Sequence, residues 1–163
     1  MPIALYRIDD RLIHGQVVVG WGQPLNLGFI VLVDDVVAGS DWEQELYRLG
    51  VPPSMDVYFA STTDAAREFA RYASDRRTGM VLTGTVDTML ELVRTAALPI
   101  TAVNVGGIHH REDRTQRLRY VFLNNPEEQG LRRMAELGVV VTAQDVPSAA
   151  SHSLDELLRG RAA

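Results

Sequence analysis

Short apolar runs recur along the chain and alternate with amphipathic segments. Some of them, such as FIVLVD at 29–34, are apolar nearly throughout, which is typical of strands covered on both faces. The pattern predicts strands at residues 3–8, 29–34, 55–61, 79–84, 100–105, 118–123 and 139–144. Only a loop joins the run at 118–123 to the strand before it, so this strand can also run antiparallel or lie at an edge.

Helical periodicity fills most of the intervals between these strands. Trp42, Leu46 and Leu49 share one face of a helix that Gly50 ends. The same spacing recurs at Ala66, Phe69, Ala70 and Ala73, and again at Met89, Leu92, Val93 and Ala96. Asn125 is predicted to cap the helix that begins at Pro126, and SLDE at 153–156 has the spacing of a capping box.

Strand and helix alternation defines the expected fold class. We predict an α/β protein with one domain over residues 1–163, built on an open, doubly wound and mainly parallel sheet. The sheet has six or seven strands, with helices on both faces. Three valines at 17–19 leave the structure of that segment open, because β-branched residues are mediocre helix formers.

Composition excludes several classes of function. The net charge of −5 argues against general nucleic-acid binding, which requires a cationic surface. The chain has no cysteine, so disulfides and thiolate metal sites are excluded. All 16 basic residues are arginine, so lysine chemistry is excluded too. No apolar run approaches the length of a membrane span, and no signal segment opens the chain, so we expect a cytoplasmic protein.

The segment RIDDRLIHGQ at 7–16 carries the candidate chemistry. It places His14 in the loop after the first strand, and open α/β sheets bind ligands beyond the carboxyl ends of their strands. Arg11 supplies a fixed cation, Gly15 lets the backbone approach closely, and Gln16 can donate a hydrogen bond, which together suit a phosphoryl group. From these residues alone, a packed histidine bonded to Asp9 or its neighbour remains equally open. A metal site is disfavoured, because the arginine would repel a cation.

The same segment resembles the phosphorylation site of a known family. RIDDRLIHGQV is similar to that site in the IIB components (EIIB) of the mannose/fructose/sorbose family of the bacterial phosphoenolpyruvate-dependent sugar phosphotransferase system (PTS). The resemblance extends over essentially the whole chain, through VDDVVA, VPPS, LPITAVNVGGIHH and AELGVVVTAQDVPS at 33–38, 51–54, 98–110 and 135–148. One departure is LTGTVDT at 82–88, where relatives often carry a phenylalanine–lysine pair followed by proline.

The resemblance implies both an activity and partners. It implies a protein-N-phosphohistidine–sugar phosphotransferase without a cofactor, in which His14 accepts a phosphoryl group from a IIA protein. The group then passes to a sugar imported through IIC and IID membrane subunits, with which the chain associates peripherally. Arg11 matches an arginine placed near the phosphate, and Asp9 matches an acidic residue of the same loop. The resemblance favours Nδ1 as the reacting nitrogen.

A second segment, NVGG at 104–107, is a candidate support for the site. Gly106 and Gly107 form either a backbone nest or a tight turn that needs positive φ, and Asn104 is expected to brace the histidine loop. The following histidines at 109 and 110 are expected to point apart. The segment 109–119 has four arginines and two acids, and is either a solvated loop or a docking surface through Arg114 and Arg117. His152 is expected to lie in a Ser/Ala-rich loop near the end of the given sequence and to be incidental.

Three other functions compete with this interpretation. A regulatory phosphohistidine module would need the same His14. A histidine-phosphatase-like enzyme would need arginine directly before the histidine, where this chain has Ile13, and a second catalytic histidine. A Rossmann nucleotide binder is weaker still, since no G-x-G-x-x-G follows the first strand.

Overall fold

The computed structural model describes residues 3–159. Its strands are β1 (Ile3–Ile8), β2 (Phe29–Val33), β3 (Asp56–Ala60), β4 (Gly79–Thr83), β5 (Ala102–Val105), β6 (Thr115–Leu118), β7 (Val121–Leu123), β8 (Val140–Ala143) and β9 (His152–Ser153). Its α-helices are α1 (Asp35–Ala38), α2 (Asp41–Arg48), α3 (Thr62–Arg67), α4 (Phe69–Ala73), α5 (Val86–Thr95), α6 (Asn125–Glu136) and α7 (Leu154–Arg159). The valines at 17–19 lie in a π-helix, Gln16–Trp21.

The main sheet confirms the predicted fold class. Within the described residues it has seven strands in the order β3-β2-β4-β1-β5-β8-β9. The first six pair in parallel and β9 pairs antiparallel to β8. The chain leaves β1 toward one half of the sheet and later crosses β1 to build the other half. The loop after β1 therefore lies at the switch point, where such sheets bind ligands.

Both faces of the sheet are buried, as the apolar strands predicted. Along β2, Phe29, Val31 and Val33 pack into one core, and Ile30 and Leu32 pack into the other. The first core also contains apolar residues of α3 to α7, and the second contains the π-helix and α1. No helix within residues 3–159 is long and apolar enough to cross a membrane.

Three predicted elements differ from the structure. Residues 118–123 do not form a strand of the main sheet, because they belong to a separate antiparallel hairpin of β6 and β7. The helix expected around Phe69 is two short helices that meet at Glu68. His152 does not lie in a loop; it is the first residue of β9 and pairs with Ala143 of β8.

One of the two predicted caps is displaced by a residue. Asn124, rather than Asn125, caps α6, and its side chain and that of Glu127 exchange hydrogen bonds with each other's backbone. The predicted capping box at the start of α7 is confirmed, since Ser153 and Glu156 make the same reciprocal pair.

Helix α2 is turned outward. Trp42, Leu46 and Leu49 share one face as predicted, but that face is exposed, and no residue of α2 is buried. The opposite face carries Gln44, whose amide donates to the carbonyls of Val37 and the next residue. This amide holds the helix to α1, Tyr47 on the same side packs against the second core, and the apolar side with Trp42 faces solvent.

Candidate functional site

The loop after β1 is fixed between the ends of the neighbouring strands. The Asp9 N–H donates to the Thr83 carbonyl at the end of β4, at 2.9 Å, and the Asp10 N–H donates to the Gly107 carbonyl beyond β5, at 2.8 Å. Leu12 is buried with φ of +61°, a conformation that costs a non-glycine residue roughly 1–2 kcal/mol. Packing of this leucine against Gly84 helps to hold the turn that presents His14.

His14 has one enclosed and one hydrogen-bonded nitrogen. Its side chain is 19% exposed, and its Nε2 atom is buried, 3.3 Å from Asp9 Oδ1, with no hydrogen-bond partner in the described part of the chain. Its Nδ1 atom accepts a hydrogen bond from the Gln16 N–H at 3.3 Å. A ring nitrogen that accepts a hydrogen bond carries no proton, so the proton of the neutral ring is on Nε2, which faces the carboxylate.

Asp9 is the centre of the charged cluster. Its side chain is completely buried and lies 3.2 Å from Arg7 Nη2 and 3.3 Å from Arg11 Nε. Burial alone would raise the pKa of Asp9. The imidazole of His14, 3.3 Å away, the charge of Arg7 and the hydrogen bonds from Arg11 outweigh burial and lower this pKa to about 2. The carboxylate is therefore ionised at neutral pH, and it can orient the imidazole.

Arg7 is a component of the site that the sequence prediction missed. It is fully buried at the end of β1, and its terminal nitrogens donate to Asp9, to the Asn104 side chain and to the carbonyls of Gln144 and Asp145. Asp9 follows β1, Asn104 lies in β5, and Gln144 and Asp145 follow β8, so one guanidinium ties three neighbouring strands together. A charge inside an apolar strand, as in IALYRI, was the sequence signal for this residue.

Arg11 lies at the surface beside the histidine. Its side chain is 47% exposed, and its Nη2 donates to the Gln16 side chain at 2.6 Å. Its Nη1 has no hydrogen-bond partner among residues 3–159. A cavity of about 240 Å³ opens beside Arg11 and Gln16 and continues to Arg119 and Tyr120.

The glycines around the site have different roles. Neither a nest nor a turn of positive φ occurs at Gly106 or Gly107, since Gly138 is the glycine of positive φ in the described chain. A Cβ at Gly106 would lie 2.3 Å from the Arg7 guanidinium, and one at Gly107 would lie 3.1 Å from Arg11 Nη2. They are glycines because arginines pack on them. A Cβ at Gly15 would meet nothing within 4 Å, so the chain's own packing does not require that glycine.

Asn104 supports the histidine loop indirectly. Its side chain is buried and accepts a hydrogen bond from Arg7, which in turn holds Asp9. It does not contact His14 in the hydrogen-bond network of the described chain.

The arginine-rich segment is neither a solvated loop nor a docking surface at its central positions. Arg114 is largely buried and pairs with Glu127 at 2.6 Å, and Arg117 is ion-paired with Glu128. These arginines attach the β6–β7 hairpin to α6, because each lies on or before β6 and pairs with the first turn of that helix. The two histidines diverge as predicted. His109 Nδ1 lies 2.5 Å from Asp10 Oδ2, and His110 packs against Phe122.

Comparison with known proteins gives a family match over the described chain. Residues 3–163 match the family model described as "PTS system sorbose subfamily IIB component". The sorbose-specific EIIB component of Klebsiella pneumoniae is 32% identical over 148 residues, 91% of this chain and 90% of that protein. The mannose-specific EIIAB component of Escherichia coli K12 is 30% identical over 148 residues, 90% of this chain. The chain spans only 45% of that longer relative.

Solved structures agree with the sequence comparisons. The IIBSor domain of the sorbose permease from Klebsiella pneumoniae superposes with a TM-score of 0.87 at 31% identity, covering 98% of both chains. The N-acetylgalactosamine-specific IIB component 1 from Escherichia coli gives a TM-score of 0.86 at 30% identity, over 93% of this chain and 98% of that one.

Proposed function

Since this chain belongs to the sorbose subfamily of PTS IIB components, we propose that it carries a phosphoryl group on His14 between a IIA donor and a sugar. The observation that carries this proposal is the pairing of His14 with Asp9. One ring nitrogen is enclosed against a buried carboxylate, and the other accepts a hydrogen bond from a backbone N–H near the surface.

The geometry supports Nδ1 as the reacting nitrogen. Ionised Asp9 favours the tautomer with the proton on Nε2, which leaves Nδ1 unprotonated. The Nδ1 lone pair attacks once the Gln16 N–H, which it accepts in the unloaded chain, turns to a phosphoryl oxygen. In the first transfer, Nδ1 forms a bond to phosphorus and the phosphorus–nitrogen bond of the donor phosphohistidine breaks, its electron pair returning to the donor ring. In the second, a sugar hydroxyl takes the phosphoryl group from Nδ1 and releases its proton to solvent.

Arg11 and Gln16 are placed to stabilise the transferred group. The Gln16 N–H already points at Nδ1, and the Arg11 guanidinium is tied to Gln16 and has a free Nη1 within the described structure. Phosphoryl transfer needs little covalent help from the protein, and positioned cations and N–H donors supply most of the catalysis. Arg11 therefore binds equatorial oxygens, and Asp9 holds both the arginine and the imidazole in place.

The decisive test is phosphorylation through the upstream carriers. The chain is incubated with phosphoenolpyruvate, the general phosphocarrier proteins and a IIA protein of this family. We expect acid-labile, base-stable phosphate that is lost in His14→Ala and retained in His109→Ala, a control histidine of the same region. Phosphorus NMR of the product then assigns the nitrogen. Labelling of any other residue, or of Nε2, would contradict the proposed site.

The partners and the sugar follow from the same proposal. Relatives are named for mannose, fructose, sorbose and N-acetylgalactosamine, so these four sugars are the first to test with the IIC and IID membrane subunits. Sugar phosphorylation by the phosphorylated chain with these subunits would establish transport. Phosphorylation of His14 without transfer to any sugar would instead favour a regulatory module.

A further inference from the structure

The segment after β2 forms an exposed apolar surface that the proposed chemistry does not use. Trp42 is 70% exposed, Leu46 57% and Leu49 84%, all on one face of α2. Val36, on the neighbouring helix α1, is 73% exposed. Single exposed apolar residues are common, but several on one helix face that include tryptophan are typical of an interaction site.

This apolar face has an acidic border. Residues 34–49 contain five carboxylates and one arginine. A cavity of about 510 Å³ lies beside α1 and is lined in part by Asp35, Asp87 and Glu91. Asp87 and Glu91 have no ion-pair partner within residues 3–159, so they extend the acidic border. We call this whole region the acidic-apolar surface; it consists of Asp35, Val36, Asp41, Trp42, Glu43, Glu45, Leu46, Leu49, Asp87 and Glu91.

The acidic-apolar surface is continuous with the phosphorylation site. Val33 and Ile8, the last residues of β2 and β1, are both in register with Thr83 of β4, so the three strands end at the same edge of the sheet. β2 and β1 flank β4, which places their ends about 10 Å apart. Gly84 lies between them, near both Leu12 of the histidine loop and Asp34, the N-cap of α1.

The unusual segment at 82–88 lies at this junction. Thr85 caps α5, and Thr88 of that helix lines the acidic cavity next to Asp87. This segment thus borders the acidic-apolar surface, and none of its side chains hydrogen-bonds to His14 in the described structure.

The charge of this surface identifies its partner. Cytoplasmic loops of membrane proteins are enriched in lysine and arginine, whereas the cytoplasmic lipid surface is negatively charged. An acidic face with a central tryptophan is repelled by anionic lipid and attracted to such basic loops. The other side of His14 differs, since it exposes Arg11 and Arg119 around the 240 Å³ cavity.

We propose that the acidic-apolar surface docks the basic cytoplasmic loops of the membrane-embedded sugar-transport subunit, next to His14. This inference rests on the proposed function, since a membrane partner is required only if the phosphoryl group passes to a transported sugar. Trp42 and the two leucines bury against the loops, and the surrounding carboxylates set the orientation. His14 follows β1 and the surface follows β2, whose ends lie about 10 Å apart at this edge of the sheet, so His14 is then presented to the sugar site.

The test measures binding to the membrane subunits separately from phosphorylation. The probe is the cognate IIC and IID subunits in nanodiscs, with empty nanodiscs of the same anionic lipids as the reference. The variant is Leu46→Arg/Leu49→Arg, which preserves helix propensity and replaces exposed residues only. Val140→Arg, at an exposed apolar position at the amino end of β8, is the matched control.

We expect the unmodified chain to bind subunit nanodiscs in preference to empty ones, with a Kd that rises with salt. The double variant should raise this Kd at least 10-fold, and the control should leave it unchanged. Neither substitution should alter the rate at which IIA phosphorylates His14. A second variant, Asp87→Asn/Glu91→Gln, should reduce the salt dependence of binding.

Each alternative occupant gives a distinct result that overturns the proposal. Equal Kd values for the unmodified chain and the double variant would show that the surface does not dock the membrane subunit, as would equal binding to empty nanodiscs. A slower IIA reaction in the double variant would identify the surface as the donor interface. A dimer that the double variant converts to a monomer would identify it as a contact between copies. Failure to phosphorylate His14 would refute the proposed function. The nanodisc Kd values would still decide, on their own, whether the acidic-apolar surface binds the membrane subunits.

Discussion

The two adjacent glycines of NVGG allow a sharp test of the buried arginine. In Gly106→Ala, the new Cβ would lie 2.3 Å from Arg7 Cζ and Nη2 and 2.7 Å from Nε, well inside contact distance. The end of a long side chain can usually move away. This one cannot, because it is completely buried and donates four hydrogen bonds, to Asp9, Asn104 and the carbonyls of Gln144 and Asp145.

The expected cost follows from these contacts. Overpacking a rigid interior costs about 1–3 kcal/mol, and losing one hydrogen bond to a charged group costs about 1.5–3 kcal/mol. Replacing glycine by alanine offsets about 0.4–1 kcal/mol of this cost, because alanine lowers the conformational entropy of the unfolded chain. We therefore expect Gly106→Ala to lower the free energy of unfolding by about 3 kcal/mol, measured from urea denaturation at neutral pH.

The neighbouring glycine is the matched control. In Gly107→Ala the nearest atom is Arg11 Nη2 at 3.1 Å, at the end of a side chain that is half exposed and free to shift. Its free energy of unfolding should change by less than about 1 kcal/mol. Its phosphorylation should slow, because the guanidinium must move. Equal stability of the two variants would refute the argument that Arg7 is immobile and that its position dictates Gly106.

Three further predictions concern the charged groups. Ionised Asp9 stabilises the fold above its ordinary pKa of 3.8, and this is lost as pH falls toward its folded pKa of about 2, a difference of roughly 2.5 kcal/mol. The difference in unfolding free energy between the wild type and Asp9→Asn, followed by urea unfolding, should therefore shrink by about 2 kcal/mol between pH 6 and pH 2, where folded Asp9 is still half ionised. A constant difference would contradict the assigned pKa. Arg11→Ala should slow phosphorylation of His14 at least 10-fold in rapid-quench measurements, with little change in stability. Arg11→Lys should recover only part of the rate, because lysine lacks the planar guanidinium. Unchanged rates would remove Arg11 from the mechanism. Arg114→Ala should lower the free energy of unfolding by about 3 kcal/mol, because it leaves Glu127 without its cation, whereas exposed Arg111→Ala should cost less than about 0.5 kcal/mol in the same assay.

The local pattern of the sequence was sufficient to predict the sheet and the histidine loop. Apolar runs of strand length located β1 to β5 and β8 to within about two residues, because each of these strands contributes buried apolar residues to the core, and β2 and β4 are buried throughout. The pairing of β6 with β7 was missed, since a loop without a helix does not determine where the next strand pairs.

The partners of Arg7 could not be predicted from local pattern. Asn104, Gln144 and Asp145 lie about 100 or more positions away, and only the parallel pairing of β1, β5 and β8 brings them together. The role of Gly106 and Gly107 was missed for the same reason, because it depends on where the guanidinium groups of Arg7 and Arg11 lie.

The orientation of α2 shows a different limit. Periodicity places Trp42, Leu46 and Leu49 on one face, but it does not say whether that face points inward. The hydrogen bonds from Gln44 to the end of α1 and the packing of Tyr47 against the second core decide this, and both depend on the short turn between the two helices.

The net charge around the Arg7–Asp9–Arg11 cluster depends on whether His14 carries a phosphoryl group. Two guanidinium groups surround one carboxylate, so the unloaded pocket has an excess of about one positive charge. A phosphoryl group would bring roughly −1.5 to −2 and reverse that sign. An incoming donor thus meets an attractive potential that disappears once delivery is complete, which favours its departure. Under the proposed function, release of the donor is then favoured by charge reversal at the site itself.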